Sequence, residues 1–528
     1  MKGKKLLSLM LTAGLTVSMM TGCGNSETGD GSKAGTAQPQ NTVQSEGDKK
    51  LTIWCEMHSA ALQFASNYSE NTAYQKIMEN TGIEIKFIHP ATGQVQEQFN
   101  TMIASGVYPD IIIGGDKYKG GIMQGVKDGV YLDLTSYLET YAPDYYEIVT
   151  ANDDIRREMT SEDGSYYAMY ATRGADAEAA PPWFRPNVRL DWLEEFGMEV
   201  PATLDEVEAY FDTVRENKGE DVMCVVFPKM GSWTDEIFYQ PYDLYPGFFV
   251  KDGKVTHGKY EARLKDYVTR MNSWYEKGYI SKDFLSYDDS QAAGMFQTDK
   301  LAMYLDSVDV AYMRAKEAGI KAVSTPYFRL QRGDKLHTGP SNAYNEGQPA
   351  VITTQCKNPE IALQFLNYAF TEEGSRIYNY GVEGETYTMV DGKPVFTEEM
   401  VNPEDMTSEA ANYLKRIHFA TKKTVSDTVL WDGCWPDEQI AYREKWADDP
   451  DVDGSYRLPN LQFTEEENSR LTAIMTDFDT YANEMVYNFI MGQEPLENFD
   501  QYIEGCKGMG IEEAISIYQA AYDRYMNK

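Results

Sequence analysis

Leu51-Thr-Ile-Trp-Cys55, Ile83-Glu-Ile-Lys-Phe-Ile88 and Asp110-Ile-Ile-Ile-Gly-Gly115 are three short apolar runs within residues 51–115. The first and third are nearly continuous in apolar residues, as strands covered on both faces are, and the second alternates. Between them, Glu70 to Asn80 reads as a helix stopped by Gly82. Val95, Phe99, Met102 and Ile103 then recur at helical spacing ahead of Gly106 and Pro109. The order is β-α-β-α-β, which predicts a mostly parallel sheet with helices on its faces. In such a sheet ligands gather beyond the carboxyl ends of the strands, here residues 54–59, 89–93 and 114–117.

Downstream, Thr203 and Glu206 stand in a capping-box arrangement, and Pro359 follows Asn358 at the start of another helix. Leu471, Ile474, Phe478, Tyr481, Met485 and Phe489 follow a three-four rhythm, and residues 511–526 form a last amphipathic segment. An α/β first part thus gives way to a helix-rich one, without internal repeats. The chain exceeds what one ordinary core holds, so two or more lobes are expected.

Upstream, Lys2, Lys4 and Lys5 precede an apolar run from Leu6 to Met20, shorter than a membrane span. This is the pattern of an export signal. Met20-Thr21-Gly22-Cys23 resembles the lipobox of bacterial lipoproteins, with Met where Leu is commoner. The resemblance implies a signal peptide over residues 1–22 and lipidation of Cys23 as the mature first residue. The alternative is a secreted protein whose cysteine falls near its signal by chance. Residues 23–48 hold almost nothing apolar and are expected to form a flexible tether, with the folded body starting at 49.

The 83 acidic and 48 basic residues leave a formal charge of −35. Such a field repels phosphates and excludes nucleic acid as a partner; it argues mildly against a polyanionic ligand, unless a local arginine overrules the average. The 38 Tyr and 8 Trp serve either a core or a cleft that stacks on sugar rings. Besides Cys23, cysteines stand at 55, 224, 356, 434 and 506 with no close pairs, so neither a metal knuckle nor a thioredoxin-type pair is present. Most are expected to be buried thiols, one disulfide remaining open. No histidine pair, nucleophile elbow or phosphate loop occurs, and a glycosidase carboxylate dyad is neither legible nor excluded among so many acids. Asp449, Asp451 and Asp453, with Gly454, match positions 1, 3, 5 and 6 of a calcium loop, but Asn460 occupies position 12. A structural calcium and a plain acidic loop are the two readings; no cofactor is otherwise required.

Four ordered segments carry a resemblance: Ala104-Ser105-Gly106 with Pro109-Asp110; Arg189, Asp191, Trp192 and Leu193 with Pro201 and Thr203; the turn Gly381-Val-Glu-Gly384, with Thr386 after it; and the closing helices from Phe489. Together they resemble the family 1 extracellular solute-binding proteins of carbohydrate ABC importers, particularly the LplA-like lipoproteins, in which His is frequent where Thr386 stands here. The likeness runs from about residue 50 to 528. It implies a two-lobed periplasmic-binding-protein-like α/β fold of type II, each lobe a mainly parallel sheet flanked by helices. Three hinge crossovers are expected near residues 166–174, 302–307 and 369–374. Lobe 1 would hold 49–168 plus 307–371, and lobe 2 169–306 plus 372–528.

The resemblance also implies a monomeric binder, not an enzyme, tethered outside the cytoplasmic membrane of a Gram-positive cell. It would close on a neutral oligosaccharide and present it to an ABC permease. Ligand-facing candidates are Trp54, Glu56, Asp116, Arg173, Trp183, Trp233, Asp306, Tyr344, Glu383, Trp431 and Trp435, the last two the favoured aromatic pair. Core packing is the alternative for each aromatic, a plain surface loop for each acid, and Asp191 and Trp192 are expected to be structural. A surface glycan-degrading enzyme, an oligopeptide importer subunit and a lipoprotein adhesin or sensor partner are the competing classes.

Overall fold

The computed structural model describes residues 49–57, 61–63, 65–173, 184–227, 233–339, 344, 345, 347, 349–401, 425, 426, 441, 442 and 449–528. Cys23, the tether, Trp183, Trp431, Cys434 and Trp435 lie outside them. Residues 49–528 form one unit.

Strands β1 (Lys50–Trp54), β2 (Glu84–Ile88) and β3 (Ile111–Ile113) are parallel, with Ile53 opposite both Phe87 and Ile111. Helices Thr72–Thr81 and Val95–Ser105 make the crossovers. Each ends on a glycine in the left-handed region, Gly82 at φ 64° and Gly106 at φ 68°, where a Cβ is disfavoured. Both faces of this sheet are covered, as its apolar runs require: Leu51 and Ile53 face one cluster with Tyr68 and Ile77, while Trp54 and Ile112 face another with Phe99 and Tyr131.

The chain leaves through β4 (Thr172–Arg173) and enters a second sheet at β5 (Phe184–Arg189). There follow β6 (Met223–Val225), the hairpin β7 (Phe248–Lys251) and β8 (Lys254–His257), then β9 (Leu301–Ser307) and β10 (Ala322–Ser324). β11 (Ala350–Ile352) returns antiparallel to β3. The hairpin β12 (Tyr387–Val390) and β13 (Lys393–Phe396) packs on the Tyr380 ring, and β14 (Val425–Ser426) lies parallel to β4. The first sheet therefore has the order β11-β3-β1-β2 and the second β10-β5-β9-β6.

The second sheet departs from the expected parallel arrangement. β5 is antiparallel to both β9 and β10, and only β6 and β9 run together. The entry point explains this. The chain reaches β5 from the first crossing, at the edge where Phe184 lies opposite Ser307, and can only run away from that edge; β6 and β9 come back toward it. The core of this lobe gathers Phe211, Phe238 and Trp274 with the long helix Glu465–Ile490. On that helix Ala482 and Val486 are buried, and Tyr481 and Met485 only partly so.

Two crossings also differ from expectation. Residues 302–307 belong to β9, and the following helix Val308–Ala318 and β10 stay with the second sheet, so 307–324 is not part of lobe 1. Residues 369–374 lie within lobe 1, where Phe370 and Ile377 join the first core. The second crossing is instead at Asn345–Ala350, whose ends bridge to Thr172 and Met169, and the third is β14 beside β4. Three passages of chain thus run side by side between the lobes.

Candidate ligand-binding site

Beyond β3 the chain turns through Gly114 and Gly115, whose amides donate to the Pro349 carbonyl at 2.8 and 3.3 Å. A Cβ on Gly115 would sit 2.6 Å from a Val351 methyl, so only glycine lets this turn lie on β11 and carry Asp116 past the sheet. Asp116, exposed, lines a cavity of about 350 Å³ together with Gly120–Met123. Its floor is hinge: Tyr170, Asn345, Gly347 and Pro349. The opposite wall, Asn460–Phe463 and Asn468, leads into the helix that closes the second core.

Hydrogen bonds hold these walls. Glu158, from the helix Asp153–Met159 of lobe 1, accepts from the Tyr344 and Asn345 amides at 2.7 and 2.9 Å and so fixes the second crossing. Asn345 Oδ1 accepts from the Gly347 amide at 2.7 Å. Across the lobes, Asn460 Nδ2 donates to the Asn345 carbonyl at 3.4 Å and Gln462 Nε2 to the Thr160 carbonyl at 3.3 Å. Arg524 spans the same seam, donating to Glu162 at 2.7 Å and to Glu467 at 2.6 Å. Burial, and then the nearby charge of Asp116, hold the Tyr170 phenol neutral well above its usual range.

The lining offers one exposed carboxylate, several side-chain amides and two rings, Tyr170 and Phe463. That set reads hydroxyls and covers apolar faces. It holds no histidine, cysteine, lysine or arginine among its described residues. Glu158, the other carboxylate, accepts from the two backbone amides through one oxygen.

Of the residues singled out from sequence, Asp116 is in this cavity and Tyr344 is next to it, half-buried, at the second crossing. Glu56 is exposed beyond β1 and its carbonyl accepts from the Tyr68 hydroxyl. Trp54 is a correction: it is 4% exposed, with its ring 5.6 Å from that of Phe99, and belongs to the core. Asp306 is half-buried at the end of β9, held by the Tyr304 hydroxyl and the Ser307 amide; burial raises its pKa. Glu383 is exposed in the turn before β12, away from the cavity. Arg173 stands on β4 and Trp233 opens the helix Trp233–Tyr239, their side chains being outside the description. Tyr170, Asn345 and Asn460 were missed, although Tyr170 lies in the crossover 166–174.

In the acidic loop the carboxylates have partners of their own. Both oxygens of Asp449 accept from Arg329 Nη2, at 2.7 and 2.8 Å, and Asp453 faces His337 at 3.2 Å and the Ser455 hydroxyl at 2.6 Å. Among the described residues no group of three or more His, Cys, Asp or Glu side chains is placed to hold a metal. Among the described residues Cys55, Cys224, Cys356 and Cys506 are buried thiols that form no disulfide.

Two lobes, with passages of chain lying side by side and a polar cavity beside them, are the architecture of a binding protein. The chain belongs to the bacterial extracellular solute-binding proteins, whose family model matches residues 65–376. It is 25% identical over 428 residues to lipoprotein LipO of Bacillus subtilis, covering 77% of each chain. It is 22% identical over 466 residues to the polygalacturonan/rhamnogalacturonan-binding protein YtcQ of the same organism, covering 84% of this chain and 86% of that one. In fold it is similar to the S. pneumoniae ABC-transporter substrate-binding protein FusA in complex with kestose: TM-score 0.71, 17% identity, 91% of this chain and all of that one.

Proposed function

We propose that this protein is the membrane-anchored, monomeric substrate-binding component of an ABC importer, which captures an extracellular oligosaccharide between its lobes and passes it unchanged to a permease. The observation that carries this reading is the cavity at the three crossings, lined from both lobes by a carboxylate, amides and rings. The oligosaccharide-binding relatives support it. Lipidation of Cys23 would hold the body at the outer face of the cytoplasmic membrane. Trp431 and Trp435 remain proposed platforms for sugar rings.

A thermal-shift screen of oligosaccharides and oligopeptides tests the reading. A ligand at a hundredfold excess over its dissociation constant stabilises by about 2.7 kcal/mol. Shifts confined to peptides, or product released from an oligosaccharide, would reject it.

A further inference from the structure

Arg185, the second residue of β5, is 2% exposed, and among the described residues none of its three guanidinium nitrogens has a hydrogen-bond partner. Its Cζ lies 3.3 Å from the centre of the Tyr327 ring. Stacking uses the face of the guanidinium and leaves the in-plane N–H fork unengaged. Buried polar groups are ordinarily paired, and a buried cation without a counter-charge opposes folding.

A chain with 83 acids has no shortage of carboxylates, yet the described ones nearby are engaged elsewhere. Asp306, opposite Arg185 in the β5–β9 register, is held by Tyr304 and Ser307. Asp449, close enough for its charge to act on Arg185, is gripped by Arg329. Glu236 pairs with Arg457 and Gln240. The Thr325 hydroxyl is buried and unpartnered as well, and the Thr325 amide donates to the Pro186 carbonyl, which sets it beside Arg185. Both groups lie at the edge where the chain arrives from the first crossing and β9 ends.

We propose that Arg185 receives a carboxylate carried by the captured saccharide, so that the solute is an acidic oligosaccharide of the uronate class. This rests on the oligosaccharide reading and narrows it against the neutral ligand expected from sequence. The bulk negative charge is no obstacle. Its field is screened over about 8 Å in physiological salt, whereas a desolvated fork on a carboxylate is a contact interaction.

The test titrates the full chain, by calorimetry and thermal shift, with oligogalacturonides, oligoguluronates and oligoglucuronates. Their methyl esters, neutral galacto-oligosaccharides and inorganic sulfate serve as controls. An acidic saccharide should bind at least tenfold more tightly than its ester. Arg185→Gln should lose that margin and Arg185→Lys should retain part of it. The unliganded melting temperature of Arg185→Gln should not fall, since the stacking on Tyr327 that is lost is offset by removing a buried cation that has no hydrogen-bond partner among the described residues. Equal binding of acid and ester, or undiminished acid binding by Arg185→Gln, overturns the carboxylate assignment while leaving the oligosaccharide reading standing. Sulfate protecting as well as any uronide overturns it in favour of a free oxyanion. Failure of every saccharide, acidic and neutral, overturns both.

Discussion

Trp54 and Asp116 stand beyond or at the ends of adjacent strands and meet opposite fates. Position at a strand's carboxyl end was legible for both, but facing was not: β1 is covered on both sides, and Trp54 falls on the side of Phe99. Trp54→Ala should therefore lower stability by about 3–5 kcal/mol and leave the affinity of folded protein unchanged. Weakened sugar binding at an unaltered melting temperature would return Trp54 to the site. At Asp449 the spacing of acids matched a metal loop, but spacing does not show which cation faces them, and the structure supplies Arg329. Asp449→Asn should cost about 1.5–3 kcal/mol, the range for a charged hydrogen bond. Melting curves of the unsubstituted chain in millimolar calcium and in chelator should coincide; a calcium-dependent rise would restore the metal.

Helix ends were the most legible elements because their signals are local. The Thr203–Glu206 box forms with both reciprocal bonds, and Pro359 occupies the first helical turn. Strand direction in the second sheet was not legible, because parallel and antiparallel partners draw on similar short apolar runs. Nor did the helical rhythm of residues 471–489 fix its phase: Tyr481 and Met485 fit the spacing, yet Ala482 and Val486 face the core. The N-terminus of that helix carries a pH-dependent tie. Burial acts to raise the pKa of Glu467, but hydrogen bonds from Arg524 and Thr464 outweigh it and hold the carboxyl below its ordinary 4.5. A depressed folded pKa gives stability that is present above the unfolded pKa and lost as pH falls through the folded one. Glu467→Gln should thus melt lower than the unsubstituted chain near pH 7, and the gap should shrink below about pH 4.5. A gap independent of pH between about 7 and 3 would show that the Arg524 tie contributes nothing.

At the scale of the whole molecule the two-lobed plan came through by resemblance, while the places where the chain changes lobes did not. A crossing is defined by its neighbours in space, Asn345 beside Thr172 and β14 beside β4, and no periodicity along one segment encodes that adjacency. The consequence is mechanical. Three adjacent passages leave the lobes one shared line about which to turn, and Glu158 stiffens that line by holding the Tyr344 and Asn345 amides. Ligand touching both walls of the cavity favours the closed arrangement only by the contacts it makes there and not in the open one. Scattering from the liganded chain should give a smaller radius of gyration than from the free chain. Glu158→Ala frees two amides and loosens the second crossing, so part of the binding free energy must go to ordering it. A loss of about 1.4 kcal/mol would weaken affinity tenfold. That variant should still close at saturation, since the ligand contacts remain, but should show a wider scattering envelope when empty. Identical radii with and without ligand in the unsubstituted chain would exclude hinge closure as the way this protein holds its solute.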